Sequence, residues 1–302
     1  MNRRQFLTTA GAAVAAAAIP ATASAASPVA PAQAAPGKAR FRTGLVAYSF
    51  HAALQAKTMT YEDLIRIAVE TGTDGIDMTV YWLPSTTDDY LLPLRRLAYR
   101  NRVEIYSLGT RISLAQPTPD KQDQQLAEVR KWVDVAEKMG ASHLRVFGGQ
   151  IPQGATLEQA VTWAGETLKR AAEIAGSRGI TLGVEDDGGI TSFAKETIEI
   201  VKGGNSPWAG MNLDIGNLRP PKVYDQVEMS IPYAVSTHIK TEMALDDMKT
   251  RGPIDWDRIF TMFAAHGYRG YMGLEYESQE DPAVAVPRHL RRLKELALKY
   301  SA

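Results

Sequence analysis

Short apolar or β-branched runs alternate with longer amphipathic segments along most of this 302-residue chain. The eight runs lie near residues 43–49, 75–81, 103–109, 143–148, 180–185, 211–216, 235–240 and 271–276. Strands that are separated by helices pair in parallel through right-handed crossovers. Eight such units predict an α/β fold with a single domain, a (β/α)8 TIM barrel over residues 41–302.

The segments between the runs have the spacing of amphipathic helices. After the first run, Leu64, Ile65 and Ala68 fall on one helical face, with Thr60 as N-cap and Gly72 as the stop. An open doubly wound sheet is the alternative arrangement of such units. Its usual marker is a glycine-rich phosphate loop after the first strand, but this first run ends in AYSFH. The pattern therefore favours the barrel.

The N-terminus has the composition of an export signal. Arg3 and Arg4 form a twin-arginine pair, an alanine-rich stretch follows, and residues 23–25 (ASA) form a small-residue cleavage site. We predict a twin-arginine signal peptide at residues 1–25 and a flexible linker at 26–40. The mature protein would then reach the periplasm or be secreted, with the Tat export machinery as a partner. An alanine-rich helix of the domain is the alternative interpretation.

Charge and cysteine content exclude several classes of function. The chain has 34 Lys and Arg against 34 Asp and Glu, so it lacks the basic surface that nucleic acid or anionic lipid requires. It has no cysteine, which removes disulfides, thiolate metal sites and cysteine nucleophiles. After the signal peptide no apolar run is long enough to span a bilayer, so no membrane contact is expected. The composition leaves monomer and homo-oligomer open.

Charged residues stand at the ends of four consecutive apolar runs. Glu185, Asp214, His238 and Glu275 follow or end the fifth to eighth runs. Because the carboxyl ends of parallel barrel strands lie on one side, these residues would converge there and repel one another without a cation. Oxygen and nitrogen ligands suit one divalent metal ion, with Mn²⁺ preferred and Co²⁺, Mg²⁺ or Zn²⁺ as alternatives. Export in the folded state would let Mn²⁺ be loaded in the cytoplasm.

Several motifs carry a resemblance to a known family: VEDDGG, LDIGN, THIKTE, GPIDWDRIF and HGYRGYMGLEYE. Residues 43–300 resemble the xylose-isomerase-like barrels, a family of sugar (phosphate) isomerases and epimerases. The resemblance implies that Glu185, Asp214, His238 and Glu275 hold the metal. It also implies that Glu185 and Glu275 are the catalytic base and acid. They would move a proton through a metal-stabilised enediolate of a small carbohydrate or polyol.

Two positions depart from the ketose epimerases of that family. Asn217 stands where they have a histidine, and Ala244 stands where they have an arginine. A metal-dependent lyase or hydratase that acts on a keto-sugar or keto-glycoside is therefore an alternative. A periplasmic carbohydrate-binding barrel without catalysis is the non-enzyme alternative. An abasic-site endonuclease is disfavoured, because that chemistry uses additional histidine ligands and this chain has five histidines in all.

Further polar residues near the strand ends are weaker candidates for contact with substrate. The substrate-binding candidates are Lys240, Asn217, Arg145 and His51. Others that could line the pocket are Tyr48, Asp77, Tyr81, Trp82 and Phe147. For these residues packing is an equal alternative. His143, His266 and His289 are interpreted as structural or surface residues.

Overall fold

The computed structural model describes residues 38–247 and 249–301. The predicted signal peptide and nearly all of the predicted linker lie outside the described residues. The first strand begins at Arg40.

Eight of the ten described strands form a closed parallel barrel, and the other two form a short antiparallel hairpin. In chain order the strands are β1 (Arg40–Val46), β2 (Gly75–Thr79), β3 (Glu104–Ser113), β4 (His143–Phe147), β5 (Thr181–Glu185), β6 (Ala209–Asp214), β7 (Ala234–Ile239), β8 (Glu242–Ala244), β9 (Arg251–Pro253) and β10 (Arg269–Leu274). The barrel closes where β1 pairs with β10. The predicted TIM barrel is confirmed, and the β8–β9 hairpin is an addition that the sequence did not indicate.

Helices follow the barrel strands and cover the outside of the sheet. They are α1 (His51–Gln55), α2 (Tyr61–Thr71), α3 (Asp88–Arg100), α4 (Pro119–Met139), α5 (Leu157–Gly176), α6 (Ala194–Gly204), α7 (Val223–Ser230), α8 (Trp256–Ala265) and α9 (Pro282–Tyr300). Short 3-10 turns lie at Ala47–Phe50, Val80–Trp82 and Ile231–Tyr233. None of the described helices combines the length and apolarity needed to cross a membrane.

Local sequence sets the ends of these helices. The hydroxyl of Thr60 accepts the amide hydrogen of Asp63, and the Asp63 carboxylate accepts the Thr60 amide, so α2 begins with a capping box. Gly72 ends the same helix with φ of +69°, a left-handed conformation that favours glycine. Both predicted boundaries of α2 are confirmed.

The amino-terminal end of the barrel interior is filled by aromatic rings. Tyr106 on β3 stacks on Tyr271 of β10, with ring centroids 3.7 Å apart. A Cβ atom at Gly44 or Gly273 would lie 2.5 Å from the Tyr106 hydroxyl, so these strands need glycine there. The two rings fill the amino-terminal end of the barrel interior, and the polar side chains lie at its carboxyl end.

Candidate metal centre

The four predicted ligands meet at the carboxyl end of the barrel. Glu185 is the last residue of β5, Asp214 is the last residue of β6, and His238 lies in β7. Glu275 follows β10 directly. One ligand atom from each residue lies within 4.8 Å of the others, and all four side chains are buried. The strand order brings them together, because β5, β6, β7 and β10 are successive neighbours in the barrel.

The imidazole of His238 points one nitrogen into this cluster. Its Nδ1 lies 2.7 Å from Oε1 of Glu185 and 3.3 Å from Oε2 of Glu275. Neither contact has hydrogen-bond geometry, so Nδ1 has no hydrogen-bond partner within the described chain. The other nitrogen, Nε2, lies 3.3 Å from Oδ2 of Asp77. Nδ1 is therefore the atom that His238 offers to a metal.

Buried acids outnumber buried cations around the cluster. Among the described residues the buried acids are Asp77, Glu185, Asp186, Asp214 and Glu275, whereas the buried permanent cations are Arg145 and Lys240. Burial raises the pKa of Asp214 well above its usual range. Lys240 opposes this shift, whereas the charges of Glu275 and Glu185 add to it. Burial and the neighbouring Asp214 likewise raise the pKa of Asp186. A divalent cation would relieve this repulsion, so the donor set fits a metal ion.

Arg145 lies behind Glu185. Its Nε lies 3.1 Å from Oε2 of Glu185. Its Nη1 donates to the Tyr81 hydroxyl at 3.1 Å and to the Thr110 carbonyl at 2.8 Å. The amide of Asn212 adds a hydrogen bond of 3.2 Å to Oε1 of Glu185. These contacts hold the Glu185 carboxylate in place. Arg145, which the sequence suggested as a substrate-binding residue, therefore faces Glu185.

Lys240 is buried between three carboxylates. Its Nζ lies 3.3 Å from Oδ2 of Asp214 and 3.2 Å from Oε2 of Glu275, and it also pairs with Glu277. Burial alone lowers the pKa of Lys240, but Asp214 and Glu275 raise it well above the usual value. The ammonium group is therefore charged and partly neutralises the cluster.

Asn217 and His51 take different positions. The Asn217 amide donates to Oδ2 of Asp214 at 2.9 Å, and the Gly216 amide donates to Oδ1 at 2.8 Å. Asn217 therefore orients Asp214.

His51 is exposed, stacks on Tyr48 with ring centroids 5.0 Å apart, and forms a hydrogen bond with the Tyr48 carbonyl. It lies at the rim and makes no described contact with the four ligands.

A polar cavity of about 240 Å³ opens beside the cluster. Its lining residues are Asn217, Lys240, Thr241, Glu242, Arg251, Glu277 and Ser278. Arg251 reaches it from the hairpin, where its Nη2 donates to the carbonyls of Gly216 and Glu242. A larger cavity of about 780 Å³ lies at the opposite end of the barrel, beside Tyr106 and Tyr271, away from the four ligands.

Sequence reasoning missed two supporting residues, Asp186 and Asn212, and did not foresee the role of a third. Asp77 was grouped with general pocket residues, yet it contacts His238 directly. Asp186 accepts the Asp214 amide hydrogen at 2.8 Å, and Asn212 contacts Glu185. The available signal was a polar residue inside an apolar strand, as in GIDMT and GMNLD.

Comparison with known families places the chain. A model described as xylose isomerase-like TIM barrel matches residues 65–296. The chain belongs to this family. A second model, for the twin-arginine translocation signal, matches residues 1–20. The protein is therefore exported by the twin-arginine machinery, to the periplasm or out of the cell.

Several solved structures share this fold. The IOLI protein, determined with a bound zinc atom, gives a TM-score of 0.70 at 15% identity, covering 87% of this chain and 99% of its own. D-psicose 3-epimerase with D-tagatose from Clostridium cellulolyticum H10 gives 0.65 at 16% identity, covering 87% and 98%. The probable 3-DHS dehydratase AsbF from Bacillus anthracis gives 0.61 at 14% identity, covering 85% and 98%. At these identities the likeness establishes the fold alone. No curated protein matches the sequence.

Proposed function

We propose that this protein is a divalent-metal-dependent isomerase or epimerase of a small carbohydrate or polyol, with Mn²⁺ as the preferred ion. The observation that carries the proposal is the placement of two glutamates around one nitrogen. Glu185 and Glu275 come from separate strands, and each has a carboxylate oxygen within 3.3 Å of Nδ1 of His238. Asp214 completes the set of possible ligand atoms.

The proton would be moved by the two glutamates. Burial raises the pKa of Glu275, but Lys240 and His238 lower it well below the usual range. Glu275 is therefore ionised and can accept a proton from a substrate carbon. Glu185, held by Arg145 and Asn212, would deliver a proton taken up from solvent to the carbon, and Glu275 would release its proton to solvent. The bound ion would supply charge stabilisation to the oxygens beside the reacting carbon.

The polar cavity supports a substrate rich in hydroxyl groups. Lys240, Asn217 and Arg251 offer donors along its wall, whereas Glu277 and Glu242 offer acceptors. Lys240 and Asn217 also touch the metal ligands, so they join the cavity to the reacting centre. Arg145 would act from behind Glu185, and His51 would meet only a ligand that extends to the rim.

Metal content of the mature, natively exported protein is the first test. We expect about one Mn²⁺, Co²⁺, Mg²⁺ or Zn²⁺ per chain by mass spectrometry. A Glu185→Gln/Asp214→Asn variant should lose the ion. A variant with the same charge change at the opposite end of the barrel, Glu104→Gln/Asp74→Asn, should keep it. Absence of stoichiometric metal in the wild type, with no uptake on adding Mn²⁺, would contradict the proposal.

The reaction itself is tested by turnover in deuterated water. Isomerisation or epimerisation exchanges one carbon-bound hydrogen and otherwise conserves the mass of the sugar. Candidate aldoses, ketoses and polyols would be screened with the ion found in the native protein. Exchange that disappears in Glu275→Gln would support the assigned acid–base pair.

A lyase or hydratase on a keto-sugar or keto-glycoside is the second candidate. It is favoured by Asn217, whose amide is occupied by Asp214 at the position where ketose epimerases have a histidine for substrate. The same two glutamates could remove a proton before a leaving group departs. Release of a second product would identify this reaction. Binding of sugar that is unchanged in Glu185→Gln, without any turnover, would instead indicate a carbohydrate-binding barrel.

A further inference from the structure

A ladder of polar side chains crosses the barrel interior below the metal cluster. Asp77 on β2 pairs in register with Ser107 on β3, and Ser107 pairs with His143 on β4. All three side chains are buried. His238 contacts Asp77 from the far side of the barrel, with Nε2 3.3 Å from Oδ2. The three residues therefore connect His238 to the wall that β3 and β4 form.

The donors and acceptors available to these side chains allow only one direction of hydrogen-bond donation along the ladder. A carboxylate can only accept hydrogen bonds, and Oδ2 of Asp77 faces Nε2 of His238 at 3.3 Å. Its Oδ1 is buried and has no hydrogen-bond partner in the described part of the chain. Ser107 is the neighbour of Asp77 in register on β3, and we assign its hydroxyl as the donor to this oxygen.

The same argument assigns the ring nitrogen of His143 that carries the hydrogen. The Ser107 oxygen lies 2.8 Å from Nδ1 of His143. If the serine hydrogen goes to Asp77, this oxygen must accept, so Nδ1 of His143 carries the hydrogen. Burial lowers the pKa of His143 to about 4, which leaves a neutral ring with one N–H. A Cβ at Gly183 would lie 2.3 Å from Nε2 of His143, so glycine there gives the ring its place.

We propose that Asp77, Ser107 and His143 are positioning residues that fix His238 as the Nε2–H tautomer and so present its Nδ1 lone pair to the ion. Donation runs from His143 to Ser107 to Asp77, and Asp77 accepts from Nε2 of His238. A carboxylate on the distal nitrogen of a ligand histidine orients the ring and increases its basicity. This inference rests on the proposed function, because it assigns the orientation of a metal ligand.

The experiment compares Mn²⁺ affinity by calorimetry in the full mature protein. Asp77→Asn should weaken binding about 10–100-fold, because the amide can donate to Nε2 and favour the wrong tautomer. Ser107→Ala should weaken it by a smaller factor, about 3–10-fold, because Asp77 remains but is less well held. Asp74→Asn, the same chemical change at the opposite end of the barrel, should leave the affinity unchanged. Thermal unfolding of each metal-free variant separates affinity from folding.

Nitrogen-15 NMR of histidine-labelled protein with Zn²⁺ reads the tautomers directly. We expect hydrogen on Nε2 of His238 and on Nδ1 of His143, with the His143 signal changed in Ser107→Ala. Wild-type affinity in both Asp77→Asn and Ser107→Ala, or hydrogen on Nδ1 of His238, would overturn the inference. If Asp77→Asn does not fold, Ser107→Ala decides. If the wild type binds no ion, the proposed function fails, whereas the His143 tautomer still tests the ladder.

Discussion

The two ends of the barrel treat acidic side chains in opposite ways. At the amino end, Asp74 receives two hydrogen bonds of 2.8 Å from the Thr43 amide and hydroxyl, and the Lys294 ammonium lies 2.7 Å from its other oxygen. At the carboxyl end, five buried acids share two permanent cations. Asp74 is fully paired and serves stability, whereas the carboxyl end holds more acidic groups than its protein cations can pair, and two of these acids have raised pKa values. That excess indicates a site for a cation.

The largest expected effect is on turnover at the carboxyl end. Glu275→Gln should reduce the rate by about 10²–10⁴-fold, because it removes a group that carries the proton. Glu104→Gln removes an acid that contacts Tyr271 at the amino end, and should leave the rate unchanged. The measurement is the rate of substrate conversion, or of solvent deuterium incorporation, with saturating ion. Equal rates for Glu275→Gln and the wild type would remove the functional contrast between the two ends.

Lysine substitutions sharpen the contrast in stability. Lys240→Met should lower the free energy of unfolding of the metal-free protein by about 3–5 kcal/mol, because it leaves buried carboxylates unpaired. Saturating Mn²⁺ should recover much of that loss, since the ion replaces the missing charge. Lys294→Met should cost only about 1 kcal/mol, because that pair is partly exposed. Urea unfolding with and without Mn²⁺ measures both. A loss in Lys240→Met that Mn²⁺ does not reduce would contradict this account.

The amino end should respond to acid through Asp74. Burial raises the pKa of Asp74, but Lys294 and Thr43 together hold it below the usual value of 3.8. A lowered folded-state pKa stabilises the protein above the unfolded value, and that stability is lost as pH falls through the folded value. Asp74→Asn should therefore cost about 1–2 kcal/mol near neutral pH. The difference from the wild type should shrink below pH 3.8 in urea unfolding. If the difference in the free energy of unfolding did not change with pH, the charge of Asp74 would not contribute to stability.

The smallest expected effect concerns two tyrosines of the amino end. The Tyr106 hydroxyl is buried with no hydrogen-bond partner in the described ranges, whereas the Tyr271 hydroxyl donates to Glu104 at 2.9 Å. Tyr106→Phe should raise stability by about 1 kcal/mol, because it removes an unsatisfied polar atom. Tyr271→Phe should lower stability by about 1 kcal/mol. Thermal unfolding distinguishes the two signs, and a loss in Tyr106→Phe would reveal a partner for its hydroxyl.

The barrel and the set of possible ligands were predictable for related reasons. Apolar runs such as TLGVE and GMNLD signal buried strands, and an acid at the end of such a run is costly without a counter-charge. Helix ends were readable as well, because Thr60 and Gly72 act through local backbone geometry. Roles that depend on distant residues were not readable. Lys240 could be placed near the site, but its position between Asp214 and Glu275 could not.

The sequence by itself determined which strands and helices form, and which strand ends carry charged side chains. Those properties depend on hydrophobic periodicity and on residues a few positions apart. Only the tertiary structure decided that His238 faces Asp77, 161 positions away, and that Nδ1 is left for an ion. The register of β2, β3 and β4 likewise joined Asp77, Ser107 and His143. Closure of the barrel creates these contacts between residues that are far apart in sequence. The hydrophobic pattern along the chain does not specify which of them meet.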